Sequence, residues 1–238
     1  MAGAFVVLEG GDGAGKSTQA AALAEALRAL GFDVVTTREP GGTAVGEQVR
    51  QTLLGAGSEG MGARTEALLF AAARAEHARR LIRPALHRGA VVISDRYVDS
   101  SIAYQGAARG LGEGVVAELN DWGTQGLDPD LTVVLDVDPS VGLSRAGDAN
   151  RMEAEPERFH RLVRESFLRR ACADPLRYLV VPAGTSREDA AAAVLAAVLQ
   201  VLGGDPEAGR EAGRGAQDSR GRGDGRAAAA PTIPTGAT

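Results

Sequence analysis

The sequence predicts an α/β fold of three layers, a five-stranded parallel sheet with helices on both faces. Two observations carry that prediction. Five short apolar runs, rich in β-branched residues or leucine, alternate with longer stretches of Ala, Leu, Arg and Glu. Strands that alternate with helices need crossover connections, and crossovers make the sheet parallel. The runs are also continuously apolar instead of alternating, as strands buried on both faces require.

In chain order, the first strand is expected over Ala4–Glu9, followed by a glycine-rich turn and a helix over Lys16–Leu30. The second strand, Asp33–Thr37, leads into the turn Pro40-Gly41-Gly42. A long helical stretch covers Ala63–His87, and the third strand, Val91–Ser94, ends in Asp95-Arg96. The fourth strand, Leu131–Asp136, precedes a charged segment. A helix over Pro156–Cys172, a strand over Tyr178–Val181 and a helix over Ser186–Leu202 complete the pattern. Residues 1–203 thus read as one domain with a lid at about 144–155. Residues 204–238 turn to glycine, alanine and interspersed charge, with Ile233 as the only large apolar residue. Such a segment cannot bury enough surface to offset its ordering entropy, so a disordered tail is expected.

Composition narrows the function. Hydrophobic residues make up 44% of the chain and aromatics only 4%, so the core must be Val, Leu and Ala. The formal charge of -5 argues against general nucleic-acid binding, which needs a basic excess. The single Cys172 excludes an internal disulfide and suits a reducing compartment; it reads as a small apolar filler near a helix end. No apolar run approaches the roughly 20 residues of a membrane span, and no leader pattern opens the chain, so a cytoplasmic protein without a membrane partner is expected. His77, His87 and His160 lack metal-ligand spacing and read as surface or core residues, and Trp122 as a packing residue.

Lys16 is the only lysine in 238 residues, and it lies in "GGDGAGKST". Gly10, Gly11, Asp12, Gly13, Ala14, Gly15, Lys16, Ser17 and Thr18 form a P-loop pattern in the context it demands, strand before and helix after. Glycines let backbone amides curl around phosphate oxygens, and the helix dipole favours the anion. Lys16 is placed to reach the β- and γ-phosphates, and Ser17 to offer a hydroxyl to Mg²⁺, with Asp95 nearby. A slim ammonium suits the loop interior better than a broad guanidinium. ATP or GTP binding follows. The Asn-Lys-x-Asp motif that reads guanine in small GTPases is impossible with one lysine placed here.

Other stretches gather at the same sheet edge. "TREPGGT" puts Arg38 and Glu39 at the end of the second strand. Phe70 and Arg74 are spaced i,i+4, so ring and guanidinium share a helix face. Either they stack and read a base, or they are a core Phe beside a solvated Arg. Ser100, Ser101, Tyr104 and Gln105 offer polar groups to a base edge or a sugar. Arginines in "SRAGDANRMEAEPERFHR" could close over a transferring phosphoryl.

The segments "EGGDGAGKST", "REPGGT", "FAAARAEH", "SDRYVDSSIAYQGAARGL" and "DPDLTVVLDVDPSVGLSR" together resemble the bacterial thymidylate kinase family across about residues 4–202. That resemblance implies the P-loop kinase fold, transfer of the ATP γ-phosphoryl to dTMP with Mg²⁺, and a homodimer. By motif match, Lys16 and Arg96 hold phosphates, and Asp12 orients the acceptor through its sugar hydroxyl or the metal. Phe70 stacks on thymine and Arg74 reads its carbonyl edge. Ser101 and Gln105 take the remaining polar edge, and Tyr104 presses on the sugar. Glu39, Ser100 and Arg50 surround the acceptor, and Arg145 lies over adenine. Gly13 stands where one subgroup carries an arginine, so this chain is expected to rely on its lid. There Arg151 is the best match for the acting residue and Arg145 the second. The lid is shorter than the family pattern. Ala73 replaces an aspartate and Glu76 a glutamine, which predicts a looser hold on Arg74. A kinase for another nucleoside monophosphate and a non-enzymatic ATP-binding switch are the rival readings.

Overall fold

The computed structural model describes residues 3–55, 57–145 and 151–203. The expected disordered tail, 204–238, lies outside the described residues, as do 146–150 of the expected lid.

Five strands form one parallel sheet: β1 (Ala4–Gly10), β2 (Val34–Arg38), β3 (Val91–Asp95), β4 (Leu131–Leu135) and β5 (Tyr178–Val181), in the order β2-β3-β1-β4-β5. The chain leaves β1 first toward one edge and later toward the other. A crevice therefore opens at the carboxyl end of β1, where such sheets bind ligands. Register sets what meets there. Leu8 pairs with Asp95, Gly10 with Leu135, and Arg38 with Asp95. The P-loop, the Asp95-Arg96 pair and the end of β2 are thereby brought level.

The continuous apolar pattern is explained by burial of both sheet faces. Val6, Leu8 and Val133 pack against α1 (Lys16–Ala29) and α9 (Arg187–Gly203) through Leu23, Leu27, Val194 and Val198. On the other face, Phe5, Val7 and Val92 meet Ile82 and Tyr97, with the rings of Phe5 and Tyr97 edge to face at 4.9 Å. Beside them, Val134 packs against Phe159, Val163 and Phe167 of α8 (Glu157–Ala173). Each such side chain, fully buried, contributes about 1.5–3 kcal/mol.

Several local features depart from expectation. The helical stretch 63–87 is α3 (Ala63–His77), a π-helical turn over Ala78–Ile82, and α4 (Arg83–His87). Pro84 has no N–H to give and would crowd the carbonyl of Arg80; the wider turn before it accommodates both effects. Trp122 does not pack: it is 81% exposed on α6 (Glu113–Thr124), whose buried side carries Val116, Asn120 and Thr124 instead. Cys172 is exposed as well, on the outer side of α8, so it fills no core space. His87 is a surface residue, while His77 and His160 are buried. Among the described residues no helix is long and apolar enough to cross a membrane.

Candidate active site

The P-loop runs from β1 into α1. Gly10 (φ +138°), Gly13 (φ +70°) and Gly15 (φ +92°) occupy backbone regions that other residues resist. A side chain on Gly13 would come within 2.0 Å of the Gly142 carbonyl, on α7 (Pro139–Arg145). The observed backbone thus has no room for an arginine at position 13. Gly15 precedes α1 with no capping side chain, so the first amides of α1 remain available to an anion.

Lys16 is buried and donates its Nζ to the carbonyls of Gly10 (3.1 Å) and Gly11 (2.7 Å). Burial, together with the Arg96 guanidinium, pushes its ammonium down to about 8. Ser17 donates Oγ to Asp95 Oδ2 at 2.6 Å, and Thr18 is exposed one residue on. A hydroxyl and a carboxylate are hard oxygen donors, which fits Mg²⁺.

Arg96 ties the two sides of the crevice together. It sits at φ +74°, a left-handed conformation uncommon for a non-glycine residue, with its N–H donated to Leu8 O. Nη1 reaches Gly10 O (3.1 Å) and Ser100 Oγ (3.0 Å), while Nη2 reaches Asp12 Oδ1 (2.5 Å) and Tyr104 OH (3.3 Å). Tyr104 donates its hydroxyl to Asp12 Oδ2 at 2.9 Å. Burial pushes the Asp12 carboxyl up, but Arg96 and Lys16 outweigh it and hold the group below the usual range. His160 comes within 4.0 Å of Asp12, and its buried Nε2 has no hydrogen-bond partner among the described residues.

A second knot centres on Arg74. Sequence spacing left a core Phe beside a solvated Arg as one reading, and the structure reverses it: Phe70 is half-buried and Arg74 is 2% exposed. Arg74 donates to Glu39 Oε2 (2.6 Å), Ser101 Oγ (2.9 Å), the Tyr97 carbonyl (2.9 Å) and Asn120 Oδ1. Its guanidinium also lies over the Tyr97 ring at 5.6 Å. Arg74 is thus firmly held here without help from Ala73 or Glu76. Its partners come from the turn after β2 (Glu39), from the start and body of α5 (Tyr97 and Ser101, with α5 spanning Val98–Ser101) and from α6 (Asn120). Glu39's second oxygen is engaged by His77 Nδ1 at 2.8 Å, and His77 Nε2 by Thr37 Oγ1 at 2.7 Å.

Ser101, Tyr104 and Gln105 project from α5 and a following π-helix, Ile102–Ala108. Gln105 donates Nε2 to Glu66 Oε1 at 2.8 Å. Arg50, on α2 (Ala44–Leu54), donates to Pro40 O at 3.0 Å, beside the turn after β2. Arg145 is exposed at the end of α7. Arg151 docks on Glu66 at 2.6 Å and leaves a buried Nη2 with no hydrogen-bond partner among the described residues.

Residue patterns did not single out Glu9, Glu66, Asn120, His77 or His160. Glu9 accepts from Tyr97 N (2.8 Å), Ser100 N (3.1 Å) and Ser100 Oγ (2.6 Å). Burial and the nearby Asp99 charge raise its carboxyl to about 7. Its signal was present, since a charge ending an apolar strand demands a buried partner. Glu66 gave none, because an acid early in a helix is ordinarily solvated.

The family model for thymidylate kinase matches residues 8–194. The chain is 50% identical over 200 residues to a thymidylate kinase of Clavibacter sepedonicus, a match covering 82% of this chain and 94% of that protein. It is 48% identical over 202 residues to a thymidylate kinase of Cutibacterium acnes, covering 85% and 99% respectively. The crystal structure of thymidylate kinase from Ehrlichia chaffeensis aligns with a TM-score of 0.67 at 34% identity, over 85% of this chain and 99% of that one.

Proposed function

This chain belongs to the thymidylate kinase family and phosphorylates dTMP to dTDP, and from that premise we propose which of its residues do the work. The Arg96 knot carries the proposal. One guanidinium contacts the P-loop at Gly10 and Asp12 and the opposite wall at Ser100 and Tyr104, so it bridges donor and acceptor phosphates.

ATP is the donor, seated with its phosphates on the amides of residues 10–18 and on Lys16, and Arg145 covers the adenine. Ser17 and Asp95 would hold Mg²⁺, which would supply positive charge to the phosphates. An acceptor phosphate oxygen attacks the γ-phosphorus in line, so the protein's share is position and positive charge. Asp12, fixed by Arg96 and Tyr104, orients the acceptor's sugar side, with Ser100 held between Arg96 and Glu9. Thymine stacks on Phe70, and Arg74 reads its carbonyl edge with Ser101 and Gln105 beside it. Glu39 serves that pocket by fixing Arg74, and Arg50 lies by the acceptor phosphate. Arg151 is the lid residue that meets the transferring phosphoryl; its unpartnered Nη2 supports that role, as does the absence of room for an arginine at position 13.

The direct test is ADP release with ATP and Mg²⁺ in the presence of dTMP, dUMP, UMP, dCMP, dGMP or no acceptor. Preference for dTMP supports the base pocket as assigned, and preference for another acceptor sinks it. Phe70→Ala is expected to raise the KM for dTMP about tenfold or more with little change in kcat, since stacking on an aromatic is worth ~1–3 kcal/mol per base. Loss of turnover at unchanged KM would remove the stacking role.

A homodimer is supported by Leu68 of α3 and by Val115 and Trp122 of α6, apolar residues exposed on adjacent helices. Trp122 emission is expected to shift to the red on dilution as the dimer separates. Emission that is concentration-independent and already that of a solvated indole would place the interface elsewhere. We assign the enzyme to the cytoplasm, where its nucleotide substrates are, and cell fractionation checks this.

A further inference from the structure

Glu66, on α3, is fully buried, yet it is a carboxylate with three polar neighbours from other elements. Oε1 accepts from Gln105 Nε2 at 2.8 Å and from Arg109 Nε at 3.3 Å. Oε2 faces Arg151 Nη1 at 2.6 Å and Arg109 Nη2 at 3.4 Å. Arg109 is held in turn by Glu155 at 2.6 Å and lies over the Phe159 ring at 4.8 Å. Two guanidiniums therefore offset the burial of one carboxylate, and the remaining hydrogen bond is spent on an amide. A buried charge with these partners is costly to place for packing alone.

The amide is the informative partner. A carboxylate offers only acceptors, so the branch of Gln105 that faces Glu66 must be its NH₂. The amide is planar, with oxygen and nitrogen on opposite branches. Fixing Nε2 on Glu66 fixes Oε1 pointing the other way, as an acceptor. This conclusion follows from hydrogen-bond chemistry and holds however the two branches are drawn.

We infer that Glu66 is a specificity-determining positioning residue, which selects a pyrimidine bearing N3–H by locking the Gln105 amide with its carbonyl toward the base. The inference rests on the proposed acceptor pocket, in which Gln105 lies at the base edge. Thymine and uracil carry a donor at N3 between two carbonyl acceptors. Cytosine carries an acceptor at N3 and a donor at N4. A carbonyl presented at N3 accepts from the N3–H of the first pattern, whereas cytosine's N3 is itself an acceptor and leaves that carbonyl unpaired. Were the amide free to turn, its NH₂ would serve cytosine equally well. The ion pair of Arg151 with Oε2 completes the counter-charge that keeps Glu66 in place.

The test compares kcat/KM for dTMP and dCMP, at saturating ATP, in the wild type and three variants. Glu66→Gln keeps shape and hydrogen-bonding capacity but can donate as well as accept, so it releases the lock. The dTMP-over-dCMP preference is expected to narrow at least tenfold, with use of dCMP rising (about the scale set by leaving a buried polar group unpaired). Combining Glu66→Gln with Gln105→Glu exchanges the two groups and again leaves an oxygen facing the base, so the preference is expected to return. A purely structural role for Glu66 lowers both values together and leaves their ratio unchanged, which overturns the inference. If Glu66→Gln alone gives no folded protein by circular dichroism, the exchanged pair decides: retained preference supports the lock and lost preference overturns it. Gln105→Ala separates the two levels. A preference unchanged in that variant shows that the base pocket itself is misassigned, and the inference falls with it. A preference that collapses there but survives Glu66→Gln overturns the role of Glu66 alone.

Discussion

Arg96→Ala is expected to lower turnover with dTMP by at least about a hundredfold, the scale seen when one preorganised partner of transition-state charge is removed. The residue does three things at once. It brings positive charge to the crevice between donor and acceptor walls. It fixes Asp12, whose carboxyl is held below its usual range although burial opposes this. It also pins the carbonyl of Gly10, at the start of the P-loop. Loss of the side chain leaves the mostly buried Asp12 carboxylate with Tyr104 as its one hydrogen-bond partner among the described residues, so some stability is lost too, roughly 1–3 kcal/mol. Arg96→Gly separates the effects. Position 96 has φ +74°, which glycine adopts without strain, so this variant is expected to melt higher than Arg96→Ala while being equally inactive. Near-wild-type turnover in either variant, measured as dTMP-dependent ADP release, would remove Arg96 from the catalytic set.

Lys16→Ala is expected to cost at least about a hundredfold in turnover as well. The more telling substitution is Lys16→Arg. Every other Lys or Arg in the chain is already arginine, so charge alone does not explain this exception. Lys16 is buried with its ammonium 2.7 Å from the Gly11 carbonyl, inside a loop whose glycines turn their backbones inward. A planar guanidinium is too broad for that space, and its fixed fork cannot follow the phosphates as a flexible stem does. Lys16→Arg is therefore expected to recover little of the lost activity. Recovery to within about threefold of wild type would mean that charge, not shape, decides the position. That factor is ~0.65 kcal/mol, well below the loss expected for a missing charge partner.

Much of this was legible in the chain. The sheet was readable because both its faces are buried, which writes strands such as Ala4–Gly10 as unbroken apolar runs. The P-loop was readable because its chemistry is contiguous: glycines, lysine and serine act within one turn. The family followed from five such segments in order. What failed lay in contacts made across elements. Trp122 looked like a packing residue from its type, but which side of α6 is covered depends on which elements the fold brings against it. Arg74 looked loosely held because its own helix lacks the usual neighbour, whereas its partners come from Glu39, Ser101 and Asn120.

The sequence by itself therefore determined the fold class, the phosphate cradle and the family, since each is encoded by local periodicity or by residues adjacent in the chain. Only the tertiary structure decided which charges are paired: Arg96 with Asp12, Arg74 with Glu39, and Glu66 with Gln105, Arg109 and Arg151. The reason is physical. A buried charge must find its counterpart wherever the fold brings one within hydrogen-bonding distance. Here the partners are 84 residues apart for Arg96 and Asp12 and 35 for Arg74 and Glu39, separations that no local pattern records.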